Sequence, residues 1–191
     1  YITWYMVFHN DRNIAIVANK GKTASDIIRK VKDVFEGLPF YMKPGIVGLA
    51  KTTITLENGC YLMSATTNPT SVTGQSVNIL YLDEAAHIPV NIMEEFWRSV
   101  YPTLSSFKQS QIIISSTPKG KQNLFYRLYD GACKKTNNFI NYRVDWWQVP
   151  GHDDAWAENI KADLGLESFN QEYGLQFDVD STKLITSHAF K

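Results

Sequence analysis

Residues 77–89, VNILYLDEAAHIP, set an apolar run at 79–82 directly before two carboxylates, Asp83 and Glu84. A run with no polar face belongs to a strand covered on both sides, as in a parallel sheet held between helices. Open α/β sheets take their ligands at the carboxyl ends of such strands. Two adjacent acids there can divide the work. One can hold a hydrated Mg²⁺, which takes one or two carboxylates plus phosphate oxygens, while the other orients or deprotonates a water. Acids also suit a helix N-terminus, so the pair taken alone leaves the structural and the chemical reading both standing.

The rest of the composition narrows the class. At 191 residues the chain can bury a core as one domain, and 44% hydrophobic with 20% charged residues is an ordinary soluble balance. Lys plus Arg and Asp plus Glu are 19 each, so bulk charge points to no polyanion. Cys60 and Cys133 form neither a metal spacing nor a disulfide framework, which fits a reducing cytosol. No run reaches membrane-spanning length and no secretory signal pattern is present, so neither membrane nor secretion is expected. The chain opens at Tyr1 inside an apolar segment, which reads as a fragment.

Along the chain, residues 1–9, YITWYMVFH, are too short a run for periodicity to choose between helix and strand. NIAIVA at 13–18 predicts a buried strand. Residues 19–22 turn, and Thr23 or Ser25 then caps a helix to about Phe35, with Ile27, Ile28, Val31, Val34 and Phe35 on one face. Residues 37–48, with Pro39, Pro44 and three glycines, read as a loop. TITLENGCYLMS at 53–64 predicts a hairpin about Asn58-Gly59. Residues 91–101 read as a helix with Ile92, Phe96 and Val100 inward. QIIIS at 111–115 predicts another buried strand, 122–129 a helix, 139–146 a strand, and 153–164 and 168–177 helices. Strands alternating with helices mean a three-layer α/β domain with a mainly parallel sheet.

Gly21-Lys22-Thr23 resembles the end of a phosphate loop, G-x-x-x-x-G-K-[ST], but the earlier glycine would fall on Ile16, inside a strand. That tripeptide therefore reads as a strand-to-helix turn with a capping Thr. The stronger second feature is Ser115-Ser116-Thr117, whose hydroxyls close the QIII strand and can bond a phosphate or an attacking water. One crossover helix fits between Asp83 and Ser115, which would bring both strand ends to one crevice. His87, His9 and His152 read as packed or hydrogen-bonded, and Asp153-Asp154 as a helix start rather than a metal pair. Trp146-Trp147 reads as packing, and Lys119 and Lys121 as a solvated loop.

NILYLDEAA, then IIISSTPKG, then SFNQEYGLQFD, in that order and spacing, resemble the ATPase domain of the large terminase subunit, the DNA-packaging motor of tailed bacteriophages. The likeness runs over nearly all of the chain, and YITWYMVFHNDRNIAIVANKG looks like the helix after that family's phosphate loop with its next strand and turn. The resemblance implies a P-loop NTPase-like fold of RecA/ASCE type, incomplete at its N-terminus and carrying one β-hairpin insertion. It implies a partial ATPase domain over 1–180, and a tail at 181–191 leading toward an absent nuclease domain. Asp83 matches the Walker B aspartate on Mg²⁺, Glu84 the catalytic carboxylate, and Ser115, Ser116 and Thr117 the motif coupling hydrolysis to DNA movement. ATP and Mg²⁺ are the implied cofactors of the full protein, with none held tightly here. Double-stranded DNA, a portal protein and a small terminase subunit are the implied partners, and the host cytoplasm the implied place.

Two departures from the family pattern stand out. The phosphate loop would precede Tyr1, so the fragment is expected to be inactive alone, with an open sheet edge covered by self-association or by residues 183–190. The family's arginine before Walker B is replaced by Thr73, and loss of such an arginine costs roughly 10³ in phosphoryl transfer. A helicase-type ATPase fragment, or a non-catalytic nucleic-acid or assembly module derived from an NTPase, remains open on these residues.

Overall fold

A computed structural model describes residues 1–68, 72, 76–105 and 110–177. The chain divides into two compact units, Tyr1–Ser116 and Thr117–Lys191.

Six strands form the first unit's sheet: β1 Asn13–Ala18, β2 Ile46–Leu49, β3 Thr53–Leu56, β4 Tyr61–Thr66, β5 Ile79–Asp83 and β6 Gln111–Ile114. Their order is β2-β3-β4-β1-β5-β6. β1 pairs in parallel with β4 and β5, and β5 in parallel with β6, whereas β2, β3 and β4 run antiparallel. Burial follows: Ile14, Ile16, Val17, Ile79, Leu80 and Leu82 are all at 0% exposure. An all-apolar run can be satisfied only by cover on both faces.

Three helices supply that cover: α1 Ile2–Phe8, α2 Gly21–Glu36 and α3 Val90–Ser105. Ile28, Val31 and Phe35 of α2, with Tyr5 and Met6 of α1, share one core cluster with Ile14, Ile16, Leu62 and Ile79. From β1 the chain passes through α2 and the hairpin to β4 on one side; from β5 it passes through α3 to β6 on the other. By the rule that such crossovers are right-handed, the opposite directions of these two assign α2 and α3 to opposite faces. The seam between β1 and β5 is therefore the point where the strand order reverses.

The hairpin forms where expected, with Leu56 accepting from Gly59 N at 3.1 Å and Leu56 N donating to Cys60 at 2.9 Å. Only Gly59 takes a positive φ there, at +79°, so the turn is a three-residue loop with a glycine bulge. Its second strand enters the parallel sheet beside β1.

Several local expectations are corrected. α2 begins at Gly21 behind Lys20 with no side-chain cap, so neither Thr23 nor Ser25 is the capping residue. The 37–48 loop contains a short 3-10 turn, Phe40–Met42, and ends in β2, whose Ile46, Val47 and Leu49 are exposed. Ile92 points outward, and Met93, Phe96, Val100 and Leu104 make the buried stripe of α3. β6 is only partly buried because it is the outer strand of the described sheet.

In the second unit, α4 Leu124–Cys133, α5 Asp154–Leu164 and α6 Leu166–Glu172 are helical. Asn123 and Asp153 cap α4 and α5 by accepting from Tyr126 N at 2.9 Å and Trp156 N at 2.8 Å. α6 ends at Glu172 rather than at residue 177. Trp146 packs among Trp156 and Phe169, while Trp147 is exposed. Residues 139–146 are not a strand: 139–145 join no ladder among the described residues, and Trp146–Gln148 is a 3-10 turn. Ile140, Tyr142 and Val144 keep the period-two pattern yet lie exposed, because alternation builds a strand only where a neighbour offers a ladder.

Phe96, at 0% exposure on α3, is the largest fully buried side chain among the described residues. Phe96→Ala is expected to cost about 3–5 kcal/mol in urea unfolding; a cost below 1 kcal/mol would mean that α3 does not pack on the sheet.

Candidate active site

Parallel neighbours end at the same level, and the register makes this concrete. Ala18 lies opposite Asp83, and Leu82 opposite Ile114. Beyond these positions the chain delivers Asn19, Glu84 and Ser115 to one rim, at the seam where ligands of open α/β sheets bind.

Strand alternation puts Tyr81 and Asp83 on the same face of β5. Asp83 Oδ1 accepts from the Tyr81 hydroxyl at 2.9 Å and from Ser115 Oγ at 3.0 Å, and the two hydroxyl oxygens are 2.8 Å apart. Burial raises the Tyr81 phenol; a hydrogen bond from Ser115 opposes this, while bonding to Asp83 and the charges of Asp83 and Glu84 reinforce it. Tyr81 therefore stays protonated, and a donor, at neutral pH.

The backbone ties the two strand ends as well. Ser115 N donates to Leu82 O at 2.9 Å, Ala85 N to Ser115 O at 3.2 Å, and Ala86 N to Ser116 Oγ at 3.0 Å. The turn between them runs through Glu84 at φ 52°, ψ 42°, followed by a 3-10 turn, Ala85–His87. A left-handed conformation in a residue with a Cβ costs on the order of 1–3 kcal/mol and is characteristic of functional sites. The Glu84 side chain is 49% exposed, and its Oε2 lies 3.6 Å from His87 Nε2. Asn19 Nδ2 donates to His87 O at 3.4 Å, linking the end of β1 to this turn.

The structure thus brings Asp83, Glu84, Ser115 and Ser116 together. Thr117 opens the second unit, and Thr73 lies outside the described residues. Gly21, Lys22 and Thr23 form the first turn of α2. His9 bonds Tyr5 O at 3.1 Å, and His152 stacks on Trp156 at 3.7 Å, so both are packed. Sequence reading missed Tyr81 and Asn19. Tyr81 was legible as the i−2 position to Asp83; Asn19 required knowing which strands are neighbours.

A family model described as terminase large subunit, T4likevirus-type, N-terminal, matches residues 2–191. The terminase large subunits of Thermus virus P23-45 and Thermus phage G20c are each 28% identical over 123 residues, 57% of this chain and 24% of each relative. The chain therefore spans about a quarter of the length of these curated relatives. The Thermus phage P74-26 large terminase ATPase domain superposes with a TM-score of 0.68 at 21% identity, over 92% of this chain and 80% of that one. The large terminase of a thermophilic bacteriophage, in complex with ADP, gives 0.70 at 15% identity, over 93% of this chain and 43% of that one. These structural likenesses show a shared P-loop NTPase-like fold.

Because glycine adopts the conformation of residue 84 freely, Glu84→Gly is expected to stabilise folding by about 1 kcal/mol in chemical denaturation. A loss of stability would instead show that the Glu84 side chain holds the turn together.

Proposed function

Since the chain belongs to the family of T4-like-virus-type terminase large subunits, as their N-terminal part, we propose that it forms the hydrolytic rim of an ATP-driven motor that packages double-stranded viral DNA. The observation that carries the proposal is the 3.0 Å bond between Ser115 Oγ and Asp83 Oδ1, which makes the acidic and hydroxyl strand ends one site.

The residues fit a magnesium ion. Asp83 Oδ1 takes both hydroxyl bonds, leaving Oδ2 outside that network, and Glu84 follows at once. No group of three or more His, Cys, Asp or Glu able to hold a metal occurs among the described residues. One or two carboxylates, with waters and phosphate oxygens completing the shell, is the habit of Mg²⁺. Asp83 is the residue to hold it, and when bound it neutralises charge on the phosphates.

Glu84, exposed at the turn, orients the attacking water and takes its proton, with His87 beside it. Ser115, Ser116 and Thr117 link that event to movement of the second strand end. DNA runs as substrate, with a portal protein and a small terminase subunit as partners in the host cytoplasm. No helix among the described residues is long and apolar enough to cross a membrane.

In the intact gene product, Glu84→Gln is expected to lower ATP turnover by about 10²–10⁴-fold while ATPγS binding persists. Wild-type turnover in that variant would remove Glu84 from the reaction and the proposal with it.

A further inference from the structure

Tyr81 Oη, Ser115 Oγ and Asp83 Oδ1 form a triangle with edges of 2.9, 2.8 and 3.0 Å. We infer that Tyr81 is a positioning residue for Asp83: its hydroxyl, together with Ser115, ties down one carboxylate oxygen and so presents the other to a divalent cation. This rests on reading Asp83 as the metal carboxylate.

A half-buried carboxylate turns freely about its last bond unless something holds it, since that torsion is broad and its two oxygens are equivalent. Two donors on a single oxygen break the equivalence. The Tyr81 hydroxyl is itself held, because its side chain packs against the buried cluster that includes Ile14, Ile16 and Ile79. Ser115 directly follows the neighbouring strand, so the triangle joins residues of β5 to the residue after β6.

The proton count adds a second property. The two hydroxyls supply one proton each to three short contacts. If both donate to Asp83, the edge between Tyr81 and Ser115 holds no proton. If either donates to the other, Asp83 keeps one bond. A change at Ser115 is thus felt at the carboxylate through Tyr81 as well as directly. Outer-shell partners of this kind orient metal ligands and tune affinity.

The test uses Mn²⁺ as the probe, with ATPγS, in the intact gene product, and counts bound Mn²⁺ by electron paramagnetic resonance. Tyr81→Phe is expected to weaken Mn²⁺ binding about tenfold with an unchanged unfolding midpoint. 4-Aminophenylalanine at position 81, which restores a donor in the same place, should recover wild-type affinity. On an Asp83→Asn background, Tyr81→Phe should add nothing. Unchanged affinity in Tyr81→Phe, with affinity lost in Asp83→Asn, overturns the positioning role alone. Full affinity in Asp83→Asn overturns the metal reading and this inference together. Should Tyr81→Phe not fold, the 4-aminophenylalanine variant decides, and a tenfold loss there overturns the inference.

Discussion

Val17 lies beside Leu82, and Leu82 beside Ile114, across two parallel ladders. Parallel strands finish at a common level, so whatever follows each of them arrives at one rim. An antiparallel neighbour would have sent Ser115 to the opposite end of the sheet. The strands that make this possible are mostly apolar, and the one hydroxyl within β5, that of Tyr81, is bonded to Asp83 and Ser115, because a buried, unpaired polar group costs several kcal/mol. Chemistry at the carboxyl ends and cover on both faces are thus two results of one arrangement.

The rim is also tightly connected. Ala85 N and Ala86 N, which a free 3-10 turn would leave to water, bond Ser115 O and Ser116 Oγ. Tyr81 and Ser115 converge on the same oxygen of Asp83. The Glu84 side chain, 49% exposed with its Oε2 3.6 Å from His87 Nε2, sits on a backbone conformation that strains a residue with a Cβ. The residue proposed to meet water is thus about half exposed at this turn.

Much of the first unit was legible beforehand. The strands at 13–18, 79–83 and 111–114, the hairpin at Asn58-Gly59 and the crossover helix between Asp83 and Ser115 all follow from apolar runs and turn chemistry. The errors have physical causes. Ile92 is apolar but lies off the buried stripe, which passes through its neighbour Met93. IVGL at 46–49 becomes a strand only because β3 is there to pair with it. The 139–145 segment has the alternation of a strand and no ladder among the described residues.

The candidate site divides the same way. Asp83, Glu84, Ser115 and Ser116 could be named from their places at the ends of apolar runs. Residue chemistry and periodicity determined which segments are strands, where they stop, and which polar groups stand at those stops, because each depends on near neighbours in the chain. Only the tertiary structure decided that β5 lies between β1 and β6, that Tyr81 and Ser115 share one oxygen of Asp83, and that Glu84 takes a left-handed backbone conformation. Those outcomes depend on contacts between distant residues, and no local pattern encodes them.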